Sequence, residues 1–149
     1  MTIVEQVEKD LPVALKAQEA LKLSVVRMMK AALKNKQVEL GRPPDDTQAV
    51  AVLRTLVKQR HESVEQFRVG GRQDLADKEE AEIKIIEGYL PAAATEEELD
   101  AAVAAAIAET GAASPRDLGK VMKAAMARLA GRNVDGKRVN EKVRAKLGA

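Results

Sequence analysis

Arg116, Lys120 and Lys123 follow one another at steps of four and three residues, the spacing that puts side chains on one face of a helix. They open a C-terminal stretch, Arg116 to Ala149, that holds 10 basic side chains against Asp117, Asp135 and Glu141, a net +7 in a chain whose formal charge is +2. Cations arrayed in this way attract phosphates, and the counterions released on binding would make affinity fall steeply with salt. At about 100° per residue, Leu118, Val121, Met122, Ala125 and Leu129 fall on the opposite side of the same helix. In the helix that follows, Lys137 and Arg144 point away from Val139 and Val143, with Arg138 and Lys142 on the flanks. Two neighbouring helices would then offer one basic surface made of Arg116, Lys120, Lys123, Arg132, Lys137, Arg138, Lys142 and Arg144. A lysine-rich face also keeps a protein in solution, so the pattern alone leaves both readings open.

The residues that are missing narrow the chemistry. Binders of single strands stack bases on aromatic side chains, and here the aromatics are Phe67 and Tyr89, both outside the basic stretch. Recognition would therefore rest on backbone phosphates and the shape of a folded RNA, with the main chain at Gly119, Gly131 and Gly136 open to close approach. Asn140 either caps the glycine-rich turn or touches a ligand. With no cysteine and a single histidine, thiol nucleophiles, thiolate metal sites and multi-histidine cages are excluded. No metal, no cofactor and no catalytic residue is expected. His61, four residues after Val57 and three before Val64, reads as a packing histidine on an apolar stripe. Glu79, Glu80 and Glu82 point in different directions on a helix and read as a solvated acidic face. Gly70-Gly71-Arg72 lacks the strand and spacing of a phosphate loop and reads as a helix terminator.

The elements that must position these side chains are helices. The chain has 149 residues, of which 26 are alanine and 46% hydrophobic, so its core is aliphatic and its propensities favour helix over strand. Thr2 and Glu5 form a capping box ahead of a stripe of Val4, Val7, Leu11 and Leu15, in a helix that must accommodate Pro12. A second helix is expected from about 17 to 40, with Leu21, Val25, Met28, Met29 and Ala32 on one face and Gly41 past its end. Asp45, Asp46 or Thr47 caps a third, running through Leu53, Val57 and Val64 to Gly70. A fourth ends against Pro91. These predict an N-terminal bundle of long antiparallel helices over residues 1–90.

A second subdomain, residues 91–149, is expected beyond the Pro91-Ala-Ala-Ala linker. Thr95 and Glu98 open its first helix, Ser114 caps the next ahead of Pro115, and the last runs from Gly136 to Leu147. Its leading part, Pro91 to Pro115, carries −5 with no Lys or Arg. Glu5, Glu8, Lys9 and Asp10 stand where a signal peptide would be apolar, and no run approaches a membrane span. The expectation is a cytoplasmic protein without membrane partners.

Leu23-Ser-Val-Val-Arg-Met-Met-Lys-Ala-Ala-Leu-Lys-Asn, Lys58-Gln-Arg-His-Glu-Ser, Gly71-Arg-Gln-Asp-Leu, Glu87-Gly-Tyr-Leu-Pro and Asp117-Leu-Gly-Lys-Val-Met occur in that order. Together they resemble the GatB/YqeY family, specifically its stand-alone YqeY-like members, over nearly the whole chain. The resemblance implies a two-part all-helical fold like the C-terminal helical and tail region of GatB, a subunit of the tRNA-dependent amidotransferase, whose tail contacts tRNA. The tail's Gly-x-Val-Met segment corresponds to Gly119, Val121 and Met122, and its Gly…Val-Asn stretch to Gly131, Val139 and Asn140. Lys123 stands where the family often has Gly, and the turn after Gly131 is one residue longer than in GatB.

The expected function is a non-catalytic helical module that binds tRNA or another structured RNA through the basic C-terminal face. Two alternatives remain: an accessory to tRNA-dependent amide transfer, in which the carbon–nitrogen ligase activity belongs to a complex with an amidotransferase, and a protein-interaction adaptor.

Overall fold

A computed structural model describes residues 1–148. Its regular structure is helical: α1 Ile3–Lys16, α2 Ala20–Leu40, α3 Asp46–Val69, α4 Gln73–Glu87, α5 Glu96–Thr110, a 3-10 turn Pro115–Asp117, α6 Leu118–Arg128 and α7 Gly136–Leu147. The chain divides into two units, Met1–Leu90 and a second that starts at Pro91.

In the first unit the Thr2 hydroxyl accepts from the Glu5 N–H at 3.1 Å, and the Glu5 carboxylate accepts from the Thr2 N–H at 2.9 Å. Two of the helix's unpaired donors are satisfied by this exchange. Pro12 lies inside α1 on its exposed side, where the missing N–H costs least because water can reach the freed carbonyl. The chain then reverses through Gln18, which takes a left-handed φ of 55°. That reversal is why α2 starts at Ala20 and not at 17. Asp45 and Gln48 form a second reciprocal box at the start of α3, and Asp46 accepts from the Ile3 N–H at 2.9 Å, tying the first turns of α1 and α3 together.

Val7, Val25, Val26, Met29, Leu33, Ala49, Leu53 and Ile86 form the core where α1, α2, α3 and α4 meet. A smaller cluster of Val64, Ala76 and Ile83, with Phe67 against it, closes the far end of α3 on α4. Burying one such large aliphatic side chain contributes about 1.5–3 kcal/mol.

Four sequence expectations fail in this unit. Leu15 and Met28, expected in apolar stripes, are exposed, and so is His61. Along α3 the buried positions are Leu53, Arg60 and Val64; His61 stands about 100° around the helix from Arg60 and so misses the core. The fourth is Glu82, which is buried and not part of a solvated acidic face. The Arg60 Nε donates to the Glu82 Oε2 at 3.0 Å, their side chains 7% and 9% exposed. Arg60 also donates to the Leu56 carbonyl at 3.1 Å and to the Met28 sulfur, so the buried guanidinium is satisfied on each nitrogen.

In the second unit Leu99, Ala102, Val103 and Ala106 of α5 pack with Val121, Ala125 and Leu129 of the α6 region and with Val139 and Val143 of α7. The Ser114 side chain makes no cap. The chain enters α6 through the 3-10 turn, and the Asp117 carboxylate accepts from the Ala113 N–H at 3.2 Å instead. Gly131, at φ 82°, turns the chain after α6. The segment before α5 is stitched to that turn by Ala94 N–H to Asn133 O at 3.1 Å and Asn133 N–H to Ala92 O at 3.3 Å.

Candidate nucleic-acid interface

The α6 segment sorts its side chains by the same rule that forms it. Val121 and Ala125 are buried, with Leu118 and Met122 partly covered against the core of the unit. The other side of α6 carries exposed Lys120 and Lys123, and Arg116 is exposed in the 3-10 turn just ahead of it. No carboxylate of the described residues pairs with these three, nor with exposed Lys137 at the start of α7. These four exposed cations are available to an incoming anion without first breaking an internal ion pair.

The remaining basic residues expected on this surface are engaged within the unit. Arg138 of α7 grips Glu96 of α5 with two nitrogens, at 3.1 and 3.3 Å, and reaches Glu141 at 3.4 Å. Lys142, one turn further on, lies between Asp100 at 2.6 Å and Glu96 at 2.7 Å and is only 13% exposed. Arg132 pairs with Glu98 at 2.7 Å and donates to the carbonyls of Ala92 and Ala93, at 3.4 and 3.2 Å, clasping the segment ahead of α5. Arg144 donates to the Asn140 side chain at 2.7 Å. The eight expected phosphate contacts thus divide: Arg116, Lys120, Lys123 and Lys137 are free, Arg132, Arg138 and Lys142 hold the fold together, and Arg144 is exposed but tied to a neutral partner.

The electrostatics follow the geometry. Hydrogen bonds from Arg138 and then Lys142 hold the Glu96 carboxyl down at about 2, and the same contacts raise Arg138. Lys142 is raised chiefly by Asp100. Glu96 and Asp100 are four apart on α5, and Arg138 and Lys142 four apart on α7. That matched spacing was present in the sequence, but a count of charge by segment conceals it by placing the −5 and +7 stretches side by side as unrelated.

Asn140 neither caps nor stands free: Asp135 caps α7 through the Lys137 N–H at 3.0 Å. Of the three glycines considered for close approach, each would meet nothing within 4 Å if it carried a Cβ, and only Gly131 has a backbone that requires glycine. The aromatics lie in the first unit. Phe67 packs in the small α3–α4 cluster, and Tyr89 donates its hydroxyl to Asp10, where burial and then that carboxylate push the phenol above its ordinary range. Among the described residues no group of three or more His, Cys, Asp or Glu is placed to hold a metal ion, and no helix is long and apolar enough to cross a membrane.

Comparison with known proteins supplies relatives. A mitochondrial protein of Lachancea thermotolerans, named altered inheritance of mitochondria protein 41, is 33% identical over 115 residues, 75% of this chain and 62% of its own length. The protein of the same name in Pyrenophora tritici-repentis is 28% identical over 149 residues, 99% of this chain and 82% of its own. That of Eremothecium gossypii is 36% identical over 94 residues, 60% of this chain and 51% of its own. This chain therefore spans between about half and four fifths of these relatives. Their names overturn the expectation of a cytoplasmic protein, since each is described as mitochondrial. The expectation rested on the lack of an apolar leader, but mitochondrial transit segments are amphipathic and arginine-rich, so a search for apolar stretches does not address them. The family described as Yqey-like protein matches residues 4–147, and the chain belongs to that YqeY-like family.

Proposed function

We propose that this chain is a helical module that binds a folded RNA, tRNA in the leading case, through phosphate contacts on the solvent face of α6. The observation that carries the reading is the contrast inside one unit: Arg132, Arg138 and Lys142 are matched by carboxylates, whereas exposed Lys120 and Lys123 of α6, and Arg116 in the 3-10 turn ahead of it, are unmatched. A surface kept only for solubility has no need of such segregation. Phosphate neutralisation by unpaired lysine and arginine supplies affinity without reading bases, which suits a unit that has no aromatic side chain to stack on.

The resemblance to the tail region of GatB supports tRNA over other RNAs, and with it a two-part architecture of antiparallel N-terminal hairpins and a three-helix tail. A role beside an amidotransferase would refine the same reading, with the bound tRNA as the shared substrate. The mitochondrial relatives favour a mitochondrial setting.

Binding of the purified protein to total tRNA and to an unstructured RNA of equal length, titrated from low to physiological salt, tests the proposal. A preference for tRNA that persists near physiological salt is expected. Weak binding that ignores RNA structure and vanishes with salt would overturn it.

A further inference from the structure

A groove of about 640 Å³ opens in the first unit, walled by the beginning of α1, by α2 and by the end of α4. Its volume falls within the usual range for small-molecule sites. Its apolar lining includes Ile3, Ile85 and Tyr89. The acid in the groove, Asp10, is committed on both oxygens: Oδ1 accepts from the Gln6 amide at 2.8 Å and Oδ2 from the Tyr89 hydroxyl. Lys22 of α2 and Lys84 of α4 also line the groove, and no carboxylate of the described residues pairs with either.

Such an arrangement favours one kind of occupant. A cationic ligand would meet two ammonium groups and an aspartate whose oxygens each already accept a hydrogen bond. A neutral apolar ligand would leave both lysines beside it without a counter-charge. An anion with a flat or apolar body satisfies every group: its acid accepts from the lysines in charge-assisted hydrogen bonds, and its body covers Ile3, Ile85 and Tyr89.

We infer that the groove of the first unit is a binding site for a small amphipathic organic anion, a carboxylate or a phosphate monoester, held by Lys22 and Lys84. The site lies wholly within residues 1–90 and does not depend on RNA binding by the second unit. It has a built-in reporter, because Tyr89 is the sole tyrosine of a chain without tryptophan.

The test uses anilinonaphthalene sulfonate, a flat amphipathic anion, beside phenylnaphthylamine, its counterpart without the sulfonate, on the full chain. Expected are saturable binding of the sulfonate, a shift of the Tyr89 ring resonances in step with occupancy, and affinity for the neutral counterpart at least tenfold lower. The double variant Lys22→Gln/Lys84→Gln should bind the sulfonate at least tenfold more weakly while its helical circular dichroism is unchanged. Should that variant misfold, raising the salt on the natural chain weakens the sulfonate selectively and serves as the second measurement. Equal binding of both probes, undiminished binding to the double variant, or sulfonate binding that leaves Tyr89 unmoved would each overturn the assignment.

Discussion

Two pairs of cations in the second unit, Lys120 with Lys123 and Arg138 with Lys142, carry equal formal charge, and the proposed interface gives them opposite roles in RNA binding. If Arg116, Lys120, Lys123 and Lys137 make the phosphate contacts, log affinity should fall with log salt at a slope near −3.6, at about 0.9 per phosphate neutralised on a duplex. Between 50 and 200 mM salt that is a loss of roughly 150-fold. The variant Lys120→Ala/Lys123→Ala leaves two contacts and a slope near −1.8, so the loss over the same interval shrinks to roughly 12-fold. The comparison variant Glu96→Gln/Asp100→Asn/Arg138→Gln/Lys142→Gln also deletes two cations, but together with the carboxylates that already hold them. Its slope should stay within about 0.3 of the natural value. Fluorescence anisotropy with labelled tRNA at several salt concentrations measures both. If the fourfold variant flattens the salt dependence as much as the lysine pair does, the reasoning from pairing fails and basic charge counts wherever it sits. Unchanged slopes in both would remove α6 from the interface.

Three further outcomes test the architecture. Arg60→Ala should cost about 3–5 kcal/mol in urea denaturation because it strands Glu82 in the interior, whereas Arg60→Leu/Glu82→Leu should return to within about 1 kcal/mol of the natural protein; a negligible cost for the single change would mean that the pair is not buried. The Glu96 carboxyl, near 2 when folded against an ordinary 4.5, stabilises the folded state fully above about pH 4.5, and that contribution disappears as pH falls towards 2. Carboxyl titration by NMR should show its midpoint rise in Arg138→Gln, and a midpoint that stays put would refute the assigned cause. Gly131→Ala, at φ 82°, should lower stability by about 1 kcal/mol, while Gly119→Ala, with helical backbone and open space around the new Cβ, should raise it by about 0.5 kcal/mol; thermal melts showing the same sign for both would contradict the backbone assignment.

Most of the helical structure was legible residue by residue. The exchange between Thr2 and Glu5, the cap at Thr95, the left-handed Gly41 and, among three neighbouring candidates, the cap at Asp45 are each determined by residues within four positions of the helix end concerned. Exceptions occurred where a local signal had a competitor close by. Ser114 lost its cap to a 3-10 turn that starts at Pro115, and the second helix lost its first turn to the reversal at Gln18. His61 was misread because a stripe judged from Val57 and Val64 has an uncertain centre, and a shift of one residue turns the helix by about 100°.

What the sequence determined by itself, then, is the set of helices, most of their ends, and the cationic face of α6, since each depends on neighbours along the chain and on a fixed 3.6-residue period. Tertiary structure alone decided which charges remain available. Arg60 meets Glu82 across 22 residues, and Arg138 meets Glu96 and Lys142 meets Asp100 across 42. Whether a cation stays unpaired or becomes half of an internal pair depends on which helix faces come together. That choice belongs to the packing of apolar stripes, and the charged residues follow it.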